Sequence, residues 1–193
     1  MKRIDCFVPF VSEEQVAVTA ANLRGEYEIA TVEFIDAATF KSTASVRKIA
    51  QTAAAPFTMI YTKTTELSFG QFALERFLAI AEDSSAAMVY ADHFKELDGD
   101  RAFAPVIDCQ KGALRDDFDF GSVLIYRTSA LKEAVDRMNV DYEYAGLYDL
   151  RLKVSQKGSL VHINEYLYYE VETDTRKSGE KLFDYVDPRN RAV

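Results

Sequence analysis

Over residues 4 to 90, short β-rich runs alternate with helical runs, and this alternation constrains the chain more than any other feature. Ile4 to Phe10 is an apolar run that stops abruptly at Pro9-Phe10, as a buried strand does. Ser12 and Gln15 then stand at capping-box spacing and open a helix through Val16, Ala20 and Leu23, closed at Gly25. Residues 29–35 read as a second strand closing on Asp36, residues 45–54 as a helix halted before Pro56, and residues 57–61 as a third strand. Ser68 is placed to cap a third helix carrying Phe69, Phe72, Phe77 and Ile80 on its inner face, and residues 86–90 form the fourth strand. Right-handed crossovers then impose a mostly parallel sheet with helices on both faces, an α/β fold.

The second half is less regular. Asp98-Gly99 is a turn signal, giving a hairpin between residues 94–97 and 102–107. A polar stretch over residues 108–119 leads through Gly121-Ser122 into a β-rich run at 123–126. Helices are expected from Thr128 or Ser129 through Met138 and over residues 145–156, with Gly158 at the C′ position. Residues 160–163 and 166–171 look like two final strands, before a charged tail over 172–193 that suggests a boundary or a truncated segment. A single domain over residues 1–171 is therefore expected.

Charge narrows the partners. The 193 residues carry a formal net charge of −8 and no basic stripe, so the electrostatic footprint that nucleic acid requires is missing. Cys6 and Cys109 stand in no metal or CxxC spacing, and no run approaches the roughly 18 apolar residues of a transmembrane helix. The glycines form neither GxGxxG nor GxxxxGK, and GxSxG and HExxH are missing as well. His162, in a Val-His-Ile strand pattern, reads as a structural strand residue. In an open α/β sheet, ligands bind outside the carboxyl ends of the strands. That rule selects Pro9 and Phe10, Asp36, Lys63 and Thr64 within Thr62-Lys63-Thr64, and Asp92 and His93.

These residues, in this order, carry a resemblance. The Pro-ended first strand, the Asp-ended second, Leu67-Ser68-Phe69-Gly70 and the Met88-Val89-Tyr90-Ala91-Asp92 strand resemble family 2 glycosyltransferases of GT-A fold. Phe118-Asp119-Phe120-Gly121-Ser122 resembles the family's acceptor-side segment, and the stretch from Ala145 to Leu152 resembles the helix bearing its acidic base. The fold implied is α/β and GT-A-like (Rossmann-like), with an added hairpin and a mixed C-terminal part. The departures are specific. Where the family carries DxD, this chain has Thr62-Lys63-Thr64; Tyr148 replaces one residue of the acidic pair; and a chain without tryptophan lacks the QxxRW of processive members.

The resemblance implies an inverting transfer from a nucleotide-sugar donor to a carbohydrate or glycolipid acceptor, in surface polysaccharide or lipopolysaccharide assembly. The implied location is cytoplasmic, or peripheral at the inner membrane. Asp149 would be the base, and Pro9, Phe10, Asp36, Lys63, Thr64 and Asp92 would line the donor, with Arg115, Asp116, Gly121 and Ser122 on the acceptor side. A divalent cation, manganese or magnesium, is the family's cofactor; with the DxD missing, either Lys63 replaces its charge or Asp92 and His93 ligate it. Solvated or turn-forming side chains are the plainer reading of each residue. The rival functions are a catalytically silent GT-A domain that binds a nucleotide sugar or a protein, and a nucleotidyltransferase. The latter lacks its glycine-rich, basic N-terminal loop.

Overall fold

Alternate residues of the central strands bury on opposite faces, and this period of two creates two separate cores. The computed structural model describes residues 2–97, 100–110 and 118–171. Among them the elements run β1 (Ile4–Phe10), α1 (Glu13–Gly25), β2 (Ile29–Asp36), α2 (Thr43–Thr52), β3 (Phe57–Tyr61), β4 (Leu67–Phe69) and α3 (Ala73–Asp83). Then follow β5 (Met88–Leu97), β6 (Asp100–Ala104), β7 (Val123–Arg127), α4 (Thr128–Val135), α5 (Gly146–Ser155) and β8 (Leu160–Val171). One sheet is ordered β2-β1-β3-β7-β5-β8-β4, with β6 added to β5. Cys6, Val8, Met59, Tyr61, Val89 and Ile125 pack with Leu23, Leu74, Phe77 and Leu78 of α1 and α3. On the other face Phe7, Ile60, Met88, Tyr90, Leu124 and Tyr126 pack with α2, α4 and α5. This is the α/β, GT-A-like architecture expected, with helices on both faces.

The sheet is parallel over β2-β1-β3, but β7 enters antiparallel between β3 and β5. Two antiparallel steps leave β5 and β8 running with β1 and β3. The expected hairpin forms between β5 and β6, from Asp100–Ala104 rather than 102–107, and its Asp98-Gly99 turn lies outside the described residues.

Local signals hold where a side chain fixes them. Ser12 Oγ accepts from the Gln15 amide at 3.3 Å, and Ser42 Oγ accepts from the Ser45 amide at 3.1 Å, starting α2 two residues before the expected point. The helix expected from Ser68 is corrected: Leu67–Phe69 pairs antiparallel with β8, and α3 begins at Ala73 after Phe72 takes a left-handed φ of 60°. The expected helix through Met138 ends at Val135. The fourth strand is twice its expected length, and the two expected final strands are one, β8, whose register with β5 shifts at Asp92.

Gly146 starts α5 against the turn before α2, where an added Cβ would lie 2.4 Å from the Ser42 carbonyl carbon and the Thr43 nitrogen. Both are backbone atoms that cannot swing aside. Gly146→Ala is therefore expected to cost about 1–3 kcal/mol in thermal unfolding, the range of overpacking.

Candidate functional site

The strand registers bring the carboxyl-end residues to one edge. Phe10 is the register partner of Asp36, and Phe7 that of Ile60, which places Lys63 at the level of Phe10. Tyr61 pairs with Val123 and Val89 with Ile125, so Gly121-Ser122, Asp92 and His93 stand at that same edge. Among the described residues, the edge thus gathers Pro9, Phe10, Asp36, Lys63, Thr64, Asp92, His93, Gly121 and Ser122. Arg115 and Asp116 lie outside the described residues.

Asp36 is exposed and its Oδ1 accepts from the Ala38 amide at 2.9 Å, an Asx turn that closes β2. Pro9 pairs with Ile35 and is buried, while the Phe10 ring stands edge-on to Phe34 at 6.3 Å. The residue before Lys63 is clamped: the Thr62 amide donates to the Ser122 carbonyl at 2.9 Å, and its hydroxyl at 3.3 Å. Lys63 Nζ forms an ion pair with Glu170 Oε1 from β8. Half of that pair is wet and half dry, since the lysine side chain is 40% exposed and the glutamate 0%.

Beneath this pair lies a group of buried polar side chains. The His93 ring stacks on Tyr168 at 4.8 Å with 4° between planes, and its Nε2 lies 3.8 Å from Glu170 Oε2. Among the described residues, both His93 nitrogens, Ser122 Oγ and Glu170 Oε2 have no hydrogen-bond partner. Tyr168 Oη accepts from the Ser122 amide at 2.9 Å, and burial pushes its phenol well above its ordinary range. Gly121 fits here for two reasons: its φ is +74°, and a Cβ would lie 2.4 Å from Tyr168 Oη.

Asp92 serves a different set of neighbours. Its Oδ1 accepts from the Val106 amide and faces His162 Nε2, both at 2.8 Å, while His162 Nδ1 lies 2.7 Å from Asp108 Oδ1. Tyr90 stacks on the His162 ring at 5.2 Å, donates to the Ile107 carbonyl at 2.9 Å and accepts from the Cys109 amide at 2.7 Å. Together these bonds strap residues 106–109 across β5. His162, read from sequence as a plain strand residue, is a bridge between two carboxylates.

The divalent cation that the resemblance implies does not fit the described residues. One ammonium and two hydroxyls at 62–64 are a poor donor set for a hard dication, and no three His, Cys, Asp or Glu side chains are grouped to hold one. Asp149 lies in the first turn of α5, its side chain 13% exposed and 3.7 Å from Lys153 Nζ. The same helix turns Arg151 over the Phe120 ring at 5.2 Å, so α5 borders the segment that precedes Gly121. Glu170 was not singled out from sequence. Its signal was a lone carboxylate two residues from Tyr168, at the inward period of an aromatic strand.

The fold is shared with solved structures of S. aureus TarS. Residues 1–349 of that protein give a TM-score of 0.61 at 10% identity, over 88% of this chain and 60% of that one. Its complex with UDP-GlcNAc gives 0.56 at 10% identity, over 89% and 59%, and its complex with UDP gives 0.60 at 11%, over 89% and 61%. This chain thus spans about three-fifths of the TarS fragment. No family model and no curated protein sequence matches the chain. Among the described residues no helix is long and apolar enough to cross a membrane.

His93 supplies a pH prediction. Burial is the largest influence on it and lowers its pKa below the ordinary 6.5; Glu170 and Asp119 act upward, Lys95 and Lys63 downward. The unfolded chain therefore takes up this proton before the folded one. The contribution is full above the unfolded pKa and is lost as pH falls toward the folded value. His93→Phe keeps the stacked ring without the two unpartnered nitrogens. Its thermal midpoint relative to the parent is expected to rise as pH falls below the ordinary imidazole value of 6.5.

Proposed function

We propose that the protein is a glycosyltransferase that takes a nucleotide-activated sugar and passes the sugar to a hydroxyl of a carbohydrate or glycolipid acceptor. Surface polysaccharide or lipopolysaccharide assembly is the setting this reading favours. The observation that carries it is the carboxyl edge itself, where Phe10, Asp36 and Lys63 converge at the ends of three parallel strands. The TarS complexes with UDP-GlcNAc and UDP support a uridine nucleotide as the first donor to test.

In this reading each residue has a chemical task. Phe10 and Asp36 line the nucleoside, and Lys63 lies against the diphosphate, where its ammonium stabilises the charge that develops as the sugar–oxygen bond breaks. Asp149 accepts the acceptor hydroxyl proton as the new glycosidic bond forms. Gly121 faces the acceptor; Ser122, expected beside it, is fully buried and holds Thr62 and Tyr168 from behind. The protein's own cation carries the charge at the position where the family has carboxylates, so no step is routed through a metal.

Transfer assays with a panel of nucleotide sugars, run with and without manganese, test the activity. Turnover in EDTA is the expected result; turnover only with manganese would return the diphosphate to a metal. Asp149→Asn is expected to keep UDP affinity and the thermal midpoint while lowering transfer roughly 10²–10⁴-fold. Activity within a few-fold of the parent would remove Asp149 as the base. The second reading, a silent domain that binds a nucleotide sugar, draws on the Asp149–Lys153 contact. UDP binding with no turnover on any donor would favour it.

A further inference from the structure

A lysine is normally a poor substitute for a bound cation, because four rotatable carbons let its charge wander. Here the wandering is restricted at both ends. The backbone before Lys63 is tied to Ser122, just ahead of β7, and its ammonium is tied to Glu170 on β8. Glu170 itself is rigidly housed. It is the register partner of Leu67 on one side and Lys95 on the other, and it is fully buried.

Such a carboxylate is costly. Burial strips it of water, and its Oε2 accepts no hydrogen bond among the described residues. A carboxylate needed only for stability would have both oxygens satisfied, as Asp5 has. Asp5 accepts from Thr31 Oγ1 and from the Ala54 and Ala55 amides, each at 2.7 Å. Glu170 instead has one oxygen bonded to Lys63 at the carboxyl edge and the other without a partner among the described residues. His93 Nε2 lies 3.8 Å from Oε2, beyond hydrogen-bond reach, whereas Lys63 bonds Oε1 directly.

Resting on the reading that this edge binds a nucleoside diphosphate, we propose that Glu170 is a positioning residue that fixes the Lys63 ammonium as the site's stationary cation. Glu170 touches no substrate in this account and acts only through Lys63. The pair does for the diphosphate what a caged ion would do. The discriminating feature is position and not net charge, since the carboxylate on its own repels phosphate.

The test therefore keeps the charge and moves the ammonium. Glu170→Asp retracts the anchoring carboxylate by one methylene. Calorimetric titration should show UDP affinity falling about tenfold, the loss expected when one charge-assisted hydrogen bond is misplaced, with uridine affinity unchanged. In a Lys63→Met background the same substitution should change neither. Unaltered UDP affinity in Glu170→Asp overturns the proposal. So does an equal loss for uridine, or a loss that persists without Lys63, since either means a structural role. If the parent protein binds uridine but not UDP, the diphosphate reading fails and this inference with it. Should Glu170→Asp not fold, the parent protein decides by lysine ammonium NMR. A slowly exchanging Lys63 signal, assigned by its loss in Lys63→Met, should shift with UDP and not with uridine. No protected signal, or one that UDP leaves unmoved, overturns the proposal.

Discussion

The antiparallel entry of β7 between β3 and β5 is the constraint on which the site depends. A purely parallel sheet would put the carboxyl end of every strand at the edge, each followed by its own crossover. Because β7 runs the other way, its amino end arrives beside the end of β3, and the Ser122 carbonyl accepts both the amide and the hydroxyl of Thr62. Ser122 and the segment bearing the lysine are thereby held together. The same strand carries β5 and β8 back into the parallel direction, which brings Glu170 and His93 under that lysine.

Of the four carboxylates buried among the described residues, Asp5, Asp92 and Glu170 show how the interior divides its tasks. Asp5 ties β1 to β2 and to the turn before β3, and both of its oxygens accept short bonds. Asp92 fastens the 106–109 strap, with His162 carrying the connection on to the exposed Asp108. Glu170 is the one of the three with an oxygen among the unpartnered buried atoms of the described residues. Satisfied charges in this fold hold elements together. The unsatisfied one lies beside the candidate chemistry, in keeping with the tendency of incompletely paired buried groups to gather at functional sites.

Much of the fold was legible in the sequence because each signal had a local cause. Alternating strands and helices gave the α/β class, and Ser12 and the Asp98-Gly99 signal placed a cap and a hairpin. Leu67-Ser68-Phe69 misled because a short apolar run with a serine suits a cap as well as a strand. Pairing with β8, where Leu67 meets Glu170 and Phe69 meets Tyr168 from the far end of the sequence, decided it. β5 outran its expected length for the same reason, since β6 and β8 stabilise its polar half from both sides. At the site, strand ends were readable and the side chains meeting them from elsewhere were not. Lys63 could be named from sequence, whereas its Glu170 partner lies 107 residues away and is brought to it only by sheet order.

The central claim is that a fixed lysine at the carboxyl edge of the sheet holds a nucleoside diphosphate. A crystal structure of the protein with UDP, grown in EDTA, addresses it most directly. The account predicts a phosphate oxygen within about 4 Å of Lys63 Nζ, the ion-pair range, with Glu170 still bound to that ammonium and the uridine beside Phe10 and Asp36. UDP seated away from this edge, or phosphates held there with Lys63 turned aside, would contradict it.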